Sequence, residues 1–426
     1  MGRVLAAALA VAGAALASTA APASAALDFQ PCATPKGVQC ATVDVPIDRS
    51  GRVPGTFSLL VHRVPATRSS TRPPLVYLAG GPGQTNTALT ALAAERFSAA
   101  VERRDLITFA QRGTGPTEIH CAAFERGDPP ATAVPACAEQ LGEKRNFFTS
   151  RDAADDLEDI RAQLGADKLA LYGASYGTWV SLGYAIRHPQ HVETIVFEST
   201  HSPELSRDAF GLAQFEEAPR LARALCHGDR CRGITKDPWG DLLRLFNRLN
   251  AKPLEARAFD ARGRAHEMTI SGLALATLIP EVDLQRHLRA ELPRAIAAAL
   301  RGDGALLARV VRGRPDGPPP DARVATNPTL NMVTLCEENV HPFDRTASPA
   351  DRLAQARQQL AQIPPATFDP FGADIAFLLS EVPTCAYWPM LPDQPSFGDG
   401  SPADVPVLLV HGDRAATGVL EHPGLT

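Results

Sequence analysis

Short continuous apolar runs alternate, through the first half of the chain, with stretches whose apolar positions recur every three or four residues. Residues 74–79 form one such run and end at Gly80-Gly81, and residues 105–110 form a second that ends at Gln111-Arg112-Gly113. Residues 168–172 and 192–197 give two more short strands. Between them, Ala153, Leu157, Ile160 and Leu164 lie on one face of a helix over 152–164, and residues 176–188 form an apolar helical stretch. A continuous apolar run marks a strand buried on both faces, and strands alternating with amphipathic helices predict a parallel sheet covered by helices.

The pattern changes after residue 200. Helical periodicity dominates over 208–226, 241–249, 284–300, 305–311 and 350–363, Pro-rich loops intervene, and strand signals are few. Residues 405–410 then return to a buried strand followed by His411-Gly412-Asp413. One strand with so short a tail cannot build its own sheet. The pattern therefore predicts an α/β core over 26–200, a helical lid over 201–396, and a return to the core over 397–426. The competing arrangement is two independent domains. No internal repeat is present.

Residues 1–25 are set apart from this fold. Arg3 precedes an Ala-rich apolar run, and Ala23-Ser24-Ala25 forms an A-x-A site, so a signal peptide cleaved after Ala25 is expected. A membrane anchor is the alternative, but the run is short for a span of ~20 residues, and no stable membrane insertion is expected. Export places the eight cysteines in an oxidising compartment, periplasmic or extracellular. The simplest pairing follows chain order: 32–40, 121–137, 226–231 and 336–385. No CxxC pair and no zinc-finger spacing occurs, so neither a metal nor another cofactor is expected. With 45% hydrophobic and 21% charged residues the chain is neither disordered nor fibrous. The net charge is −5 and no basic block stands out, so nucleic acid is not an expected partner.

Candidate chemistry centres on Gly173-Ala174-Ser175-Tyr176-Gly177, a G-x-S-x-G pattern between a predicted strand and a predicted helix. That context lifts a serine hydroxyl above the sheet edge and aims the amides of the new helix at the same point. The N–H of Tyr176 is then the expected first oxyanion donor. Gly80-Gly81-Pro82-Gly83 follows an earlier strand, where a second donor arises. Pro82 lacks an N–H, so Gly81 is the candidate.

Leu78-Ala79-Gly80-Gly81-Pro82-Gly83, Gln111-Arg112-Gly113-Thr114-Gly115, Gly173 to Thr178, and His188-Pro189 occur in order. Together they resemble the α/β-hydrolase serine exopeptidases of the proline iminopeptidase and tripeptidyl aminopeptidase kind. The segment from Met332 to Asn339 resembles the Cys-Ala-Glu-Asp part of their lid. The resemblance implies an α/β-hydrolase fold, a triad in the order Ser, Asp, His, and an acyl-enzyme on Ser175 formed from a small peptide or amino-acyl substrate. It also implies that a lid acid, Glu338 or Glu337, receives the substrate's free amine. Three departures stand out. Ala110 replaces an Asp of the family, which leaves Arg112 to find another partner. The family's catalytic Asp position falls on Ala415. The stretch from Arg414 to Thr426 does not match and reads as a truncated end. Asp413 and His422 are the substitutes the chain offers for acid and base. An esterase on the same scaffold, or a catalytically impaired remnant, are the alternative functions.

Overall fold

The structure is a computed structural model, and it describes residues 26–69, 71–200, 208–259, 262–278, 286–312, 326–395, 397 and 404–411. The expected signal peptide, Asp413 and His422 lie outside the described residues.

Eight strands form one sheet. In chain order they are β1 (Gln30–Pro31), β2 (Gln39–Pro46), β3 (Thr56–Val64), β4 (Leu75–Leu78), β5 (Leu106–Phe109), β6 (Leu169–Ala174) and β7 (Val192–Glu198), with the eighth at Val407–Val410. A separate hairpin supplies β8 (Leu254–Phe259) and β9 (Ala265–Ile270), so the last strand of the main sheet is β10. The spatial order is β1-β2-β3-β5-β4-β6-β7-β10. The β1, β2, β3 and β5 neighbours pair antiparallel, and from β5 through β4, β6, β7 to β10 every pairing is parallel. The returning strand therefore adds to the same sheet as the first half of the chain: Val410 is in register with Glu198, and Glu198 with Ala174.

The central strands are buried along their whole length, which is why they read as unbroken apolar runs. The helix Ser150–Leu164 begins at a capping box between Thr149 and Asp152 and ends at Gly165, which has φ +65°. It turns Ala153, Ala154, Leu157 and Ile160 onto the sheet. The predicted lid helices appear at Leu212–Ala224, Pro238–Ala251, Arg286–Leu300, Ala305–Arg312 and Pro349–Leu360.

Besides the short helices Gly272–Ala276, Ala373–Leu379 and Val382–Cys385, two larger lid features differ from the sequence reading. The β8–β9 hairpin is absent from it, because its alternating pattern is largely exposed and carries little apolar signal. The helix Pro328–Glu338 is absent as well. It is buried on several sides, with Leu330, Met332, Val333, Thr334, Cys336, Glu337 and Glu338 all inside, so it shows no single apolar stripe.

The four disulfides are Cys32–Cys40, Cys121–Cys137, Cys226–Cys231 and Cys336–Cys385, the chain-order pairing. Among the described residues no helix is long and apolar enough to cross a membrane.

Arg112 finds its partner on the capped helix. Its guanidinium donates to Asp156 Oδ2 at 2.7 Å and Oδ1 at 2.5 Å, and to the carbonyls of Ile47 at 3.1 Å and Phe147 at 2.9 Å. Both side chains are almost fully excluded from solvent. Removing Arg112 leaves the buried Asp156 with Arg49, at 3.0 Å, as its remaining charged partner, so Arg112→Ala is expected to lower unfolding free energy by about 3 kcal/mol. Denaturant titration followed by circular dichroism checks this; an unchanged midpoint would contradict it.

Candidate active site

Ser175 occupies the turn between β6 and the helix Tyr176–Arg187, with φ 52° and ψ −121°. Left-handed backbone is costly for a residue with a side chain, and it persists only where the surroundings enforce it. They do so here. The Ser175 N–H donates to Glu198 O at 2.9 Å, and Ser175 O accepts from Thr178 N at 2.9 Å and Thr178 Oγ1 at 2.6 Å. A Cβ on Gly177 would lie 2.1 Å from Leu78 O, so only glycine lets the new helix come down against the end of β4. A Cβ on Gly80 would lie 2.9 Å from Ser175 Cβ and 3.2 Å from Ser175 Oγ. The Gly80–Gly83 bend therefore lies directly against the serine.

The two amides singled out from sequence lie next to this contact, Gly81 after Gly80 and Tyr176 after Ser175. Among the described residues neither the Gly81 N–H nor the Tyr176 N–H has an acceptor. Neighbouring groups in the bend are engaged: Gly80 N donates to Gln84 Oε1 at 3.1 Å, and Ala79 N to Asn86 Oδ1 at 2.9 Å.

Beside the bend opens a cavity of about 300 Å³. Gly81, Pro82, Tyr176 and Trp179 form its floor, and the lid supplies Phe210, Phe215, Leu335, Leu379 and Val382 as apolar wall. Three carboxylates share this wall: Asp208, Glu338 and Glu381. Among the described residues no Lys or Arg lines it. His341 is half-buried there, and its Nε2 donates to Cys336 O at 3.0 Å. Burial pulls its pKa down to about 4, so it is neutral and leaves the cavity acidic.

The three carboxylates differ in what already holds them. Asp208 caps a lid helix, accepting from Leu212 N at 2.8 Å and Ala213 N at 3.0 Å. Glu338, 4% exposed, accepts from the N–H and the hydroxyl of Ser150, and the Tyr176 hydroxyl hydrogen-bonds into the same cluster. Glu381 accepts from Asn339 Nδ2 at 2.6 Å and is otherwise turned to the cavity among the described residues. Its pKa is raised by burial. Sequence reasoning missed Glu381 because it lies more than forty residues from the lid motif and carries no local signature. Glu337 points away: it pairs with Arg345 at 2.8 Å and accepts from Trp388 Nε1 at 3.2 Å and Leu391 N at 3.1 Å. It holds the lid together and does not line the cavity.

Elsewhere Glu158, His188 and His191 bring ligand-type atoms within 4.8 Å of one another. Glu158 is already paired with Arg161 at 2.7 Å and accepts from Tyr184 at 2.8 Å, so the cluster is satisfied without an ion.

A family profile described as alpha/beta hydrolase fold matches residues 73–272. This chain is an α/β hydrolase by fold. Among curated relatives of this chain, the tripeptidyl aminopeptidase of Streptomyces lividans is 32% identical over 46% of the chain and 42% of its own length. The serine protease Hip1 of Mycobacterium tuberculosis is 26% identical over 88% of the chain and 76% of its own. The chain thus spans about two fifths of the first relative. A solved proline iminopeptidase-related protein from Thermus thermophilus is 20% identical over 43% of this chain and 50% of its own, with a TM-score of 0.27.

Two expectations follow. Gly177→Ala forces a methyl into Leu78 O and should destabilise the protein by about 1–3 kcal/mol or more, measured as a lowered thermal midpoint. The second concerns Glu338, whose pKa is raised to about 7, chiefly by burial and further by Asp152, against the Ser150 donors. Between about pH 4.5 and 7 the folded chain holds a proton there that the unfolded chain releases, so this group lowers stability as pH rises. Glu338→Gln should flatten that slope by on the order of 3 kcal/mol. Thermal melts across this pH range in both proteins check it, and parallel curves would refute it.

Proposed function

We propose that the protein is an exported serine hydrolase that releases residues from peptide N-termini through an acyl-enzyme on Ser175. The observation that carries this reading is a cavity with three carboxylates and, among the described residues, no Lys or Arg on its wall, beside a strained serine flanked by two free amides. An acidic, partly apolar pocket next to a nucleophile suits a substrate that presents a free ammonium group near its scissile carbonyl. Similarity to a tripeptidyl aminopeptidase and a serine protease points the same way. Four disulfides suit an oxidising compartment.

In this reading Ser175 Oγ attacks the carbonyl carbon and gives its proton to a histidine base. The oxygen takes up negative charge and is held by the Gly81 and Tyr176 N–H groups. The base returns the proton to the departing amine as the C–N bond breaks, and water then cleaves the ester by the reverse sequence of proton moves. Chain order assigns the base to His422 and its acidic partner to Asp413. Glu381, with acceptor capacity left towards the cavity, is the carboxylate for the substrate ammonium, whereas Glu338 is occupied by Ser150 and Tyr176.

A fluorophosphonate probe should label the purified protein at Ser175, and Ser175→Ala should abolish labelling. Absence of labelling in the unsubstituted protein would overturn the proposal. Free-amine peptide amides should be cleaved about tenfold or more faster than their N-acetylated forms, and Glu381→Gln should narrow that preference through KM. Short-chain ester hydrolysis without such a preference would favour an esterase.

A further inference from the structure

The helix Pro328–Glu338 touches both segments that carry the candidate oxyanion donors, one at each of its ends. At its start Thr326 bridges Gln84, the Asn327 N–H donates to Gly83 O at 3.0 Å, and Asn331 Nδ2 donates to Pro82 O at 3.1 Å. The approach is close: Gly83 has φ +104°, and a Cβ there would stand 2.7 Å from Asn327 O. At its end Glu338 gathers the Ser150 N–H and hydroxyl, together with the Tyr176 hydroxyl. Between these points Leu330 packs over Gly113, Thr334 Oγ1 donates to Phe148 O at 2.8 Å, and Cys336 is bonded to Cys385.

An oxyanion site works only when its donors stand about 2.7–3.1 Å from one developing charge, with their positions fixed before the reaction. Here the donors belong to two separate pieces of chain. The Gly80–Gly83 bend is glycine-rich and has little intrinsic stiffness. A helix bonded to the bend at one end and to the serine turn at the other is a rigid spacer between them.

We propose that the helix 328–338 is a brace that sets the distance between the Gly81 and Tyr176 amides, with Asn331 and Glu338 as its positioning residues. This rests on the reading of Ser175 as nucleophile. It gives Glu338 a role distinct from substrate recognition. The lid then acts on the chemical step as well as on access to it.

The test compares the full chain with Asn331→Ala, Glu338→Gln, the double variant, and Arg357→Ala on an exposed lid helix as control. Amide hydrogen exchange reads the brace without requiring activity. Asn331→Ala should speed exchange over residues 80–84, Glu338→Gln over 174–178, and the double variant over both, with the helix Pro238–Ala251 unchanged. On a peptide amide, kcat and the rate of Ser175 phosphonylation should fall about tenfold or more, with KM within about twofold of the parent. Asn331→Asp, which keeps the size and loses the donor, should follow Asn331→Ala. Unchanged exchange in both segments would overturn the brace, as would faster exchange throughout the chain. Loosened segments with undiminished kcat would overturn the positioning role. An unsubstituted protein whose Ser175 never reacts would count against the serine-hydrolase reading, and exchange alone would then decide the brace.

Discussion

The site depends on the contact between the end of β4 and the first turn of the helix Tyr176–Arg187. There the carbonyl of Leu78 occupies the space that any side chain at residue 177 would need. This close approach lets the chain reverse direction within one residue at Ser175, holds that residue at φ 52°, and brings the Gly80–Gly83 bend against its hydroxyl. The strain is held in place by the buried central strands of the sheet. The parallel register carries Ala174, Glu198 and Val410 to the same level, and Glu198 O anchors the Ser175 amide. The placement of the Ser175 hydroxyl is thus a property of the whole sheet edge.

Electrostatics then divides the acidic residues of the lid by what surrounds them. Glu337 and Glu338 are neighbours in sequence, yet helical geometry sends them about 100° apart. One turns inward to Arg345 and Trp388 and closes the lid on itself. The other turns to Ser150 and Tyr176 and reaches the core. Both are buried, so both need donors, and the donors define what each can do. Glu381 accepts from Asn339 alone among the described residues, which leaves it more acceptor capacity towards the cavity than Glu338 has.

The α/β core solves a similar problem at Arg112. At position 110 an apolar Ala packs against Gly115, and the guanidinium is taken by Asp156 and the carbonyls of two core segments. A buried cation with five donors forces the loop after β5, the end of β2 and the capped helix into one arrangement, which gives the sheet edge a fixed frame beneath the site.

Local pattern alone determined the strands of the parallel sheet, the helices between them, the serine turn and its two candidate amides, and the short-range cysteine pairs 32–40, 121–137 and 226–231. Each of these is written in periodicity, glycine spacing or short loop closure, which act over a few residues. The helix 328–338, the β8–β9 hairpin, the Arg112–Asp156 pair and the place of Glu381 on the cavity wall were decided only by tertiary structure. A helix buried on several sides has no polar face to set its period, and an exposed hairpin has too little apolar content to announce itself. Partners separated by forty residues or more meet only because the sheet and the lid pack against each other. Which of two adjacent glutamates reaches Ser150 and Tyr176 is a question of helix rotation against its neighbours, and that rotation is set by packing.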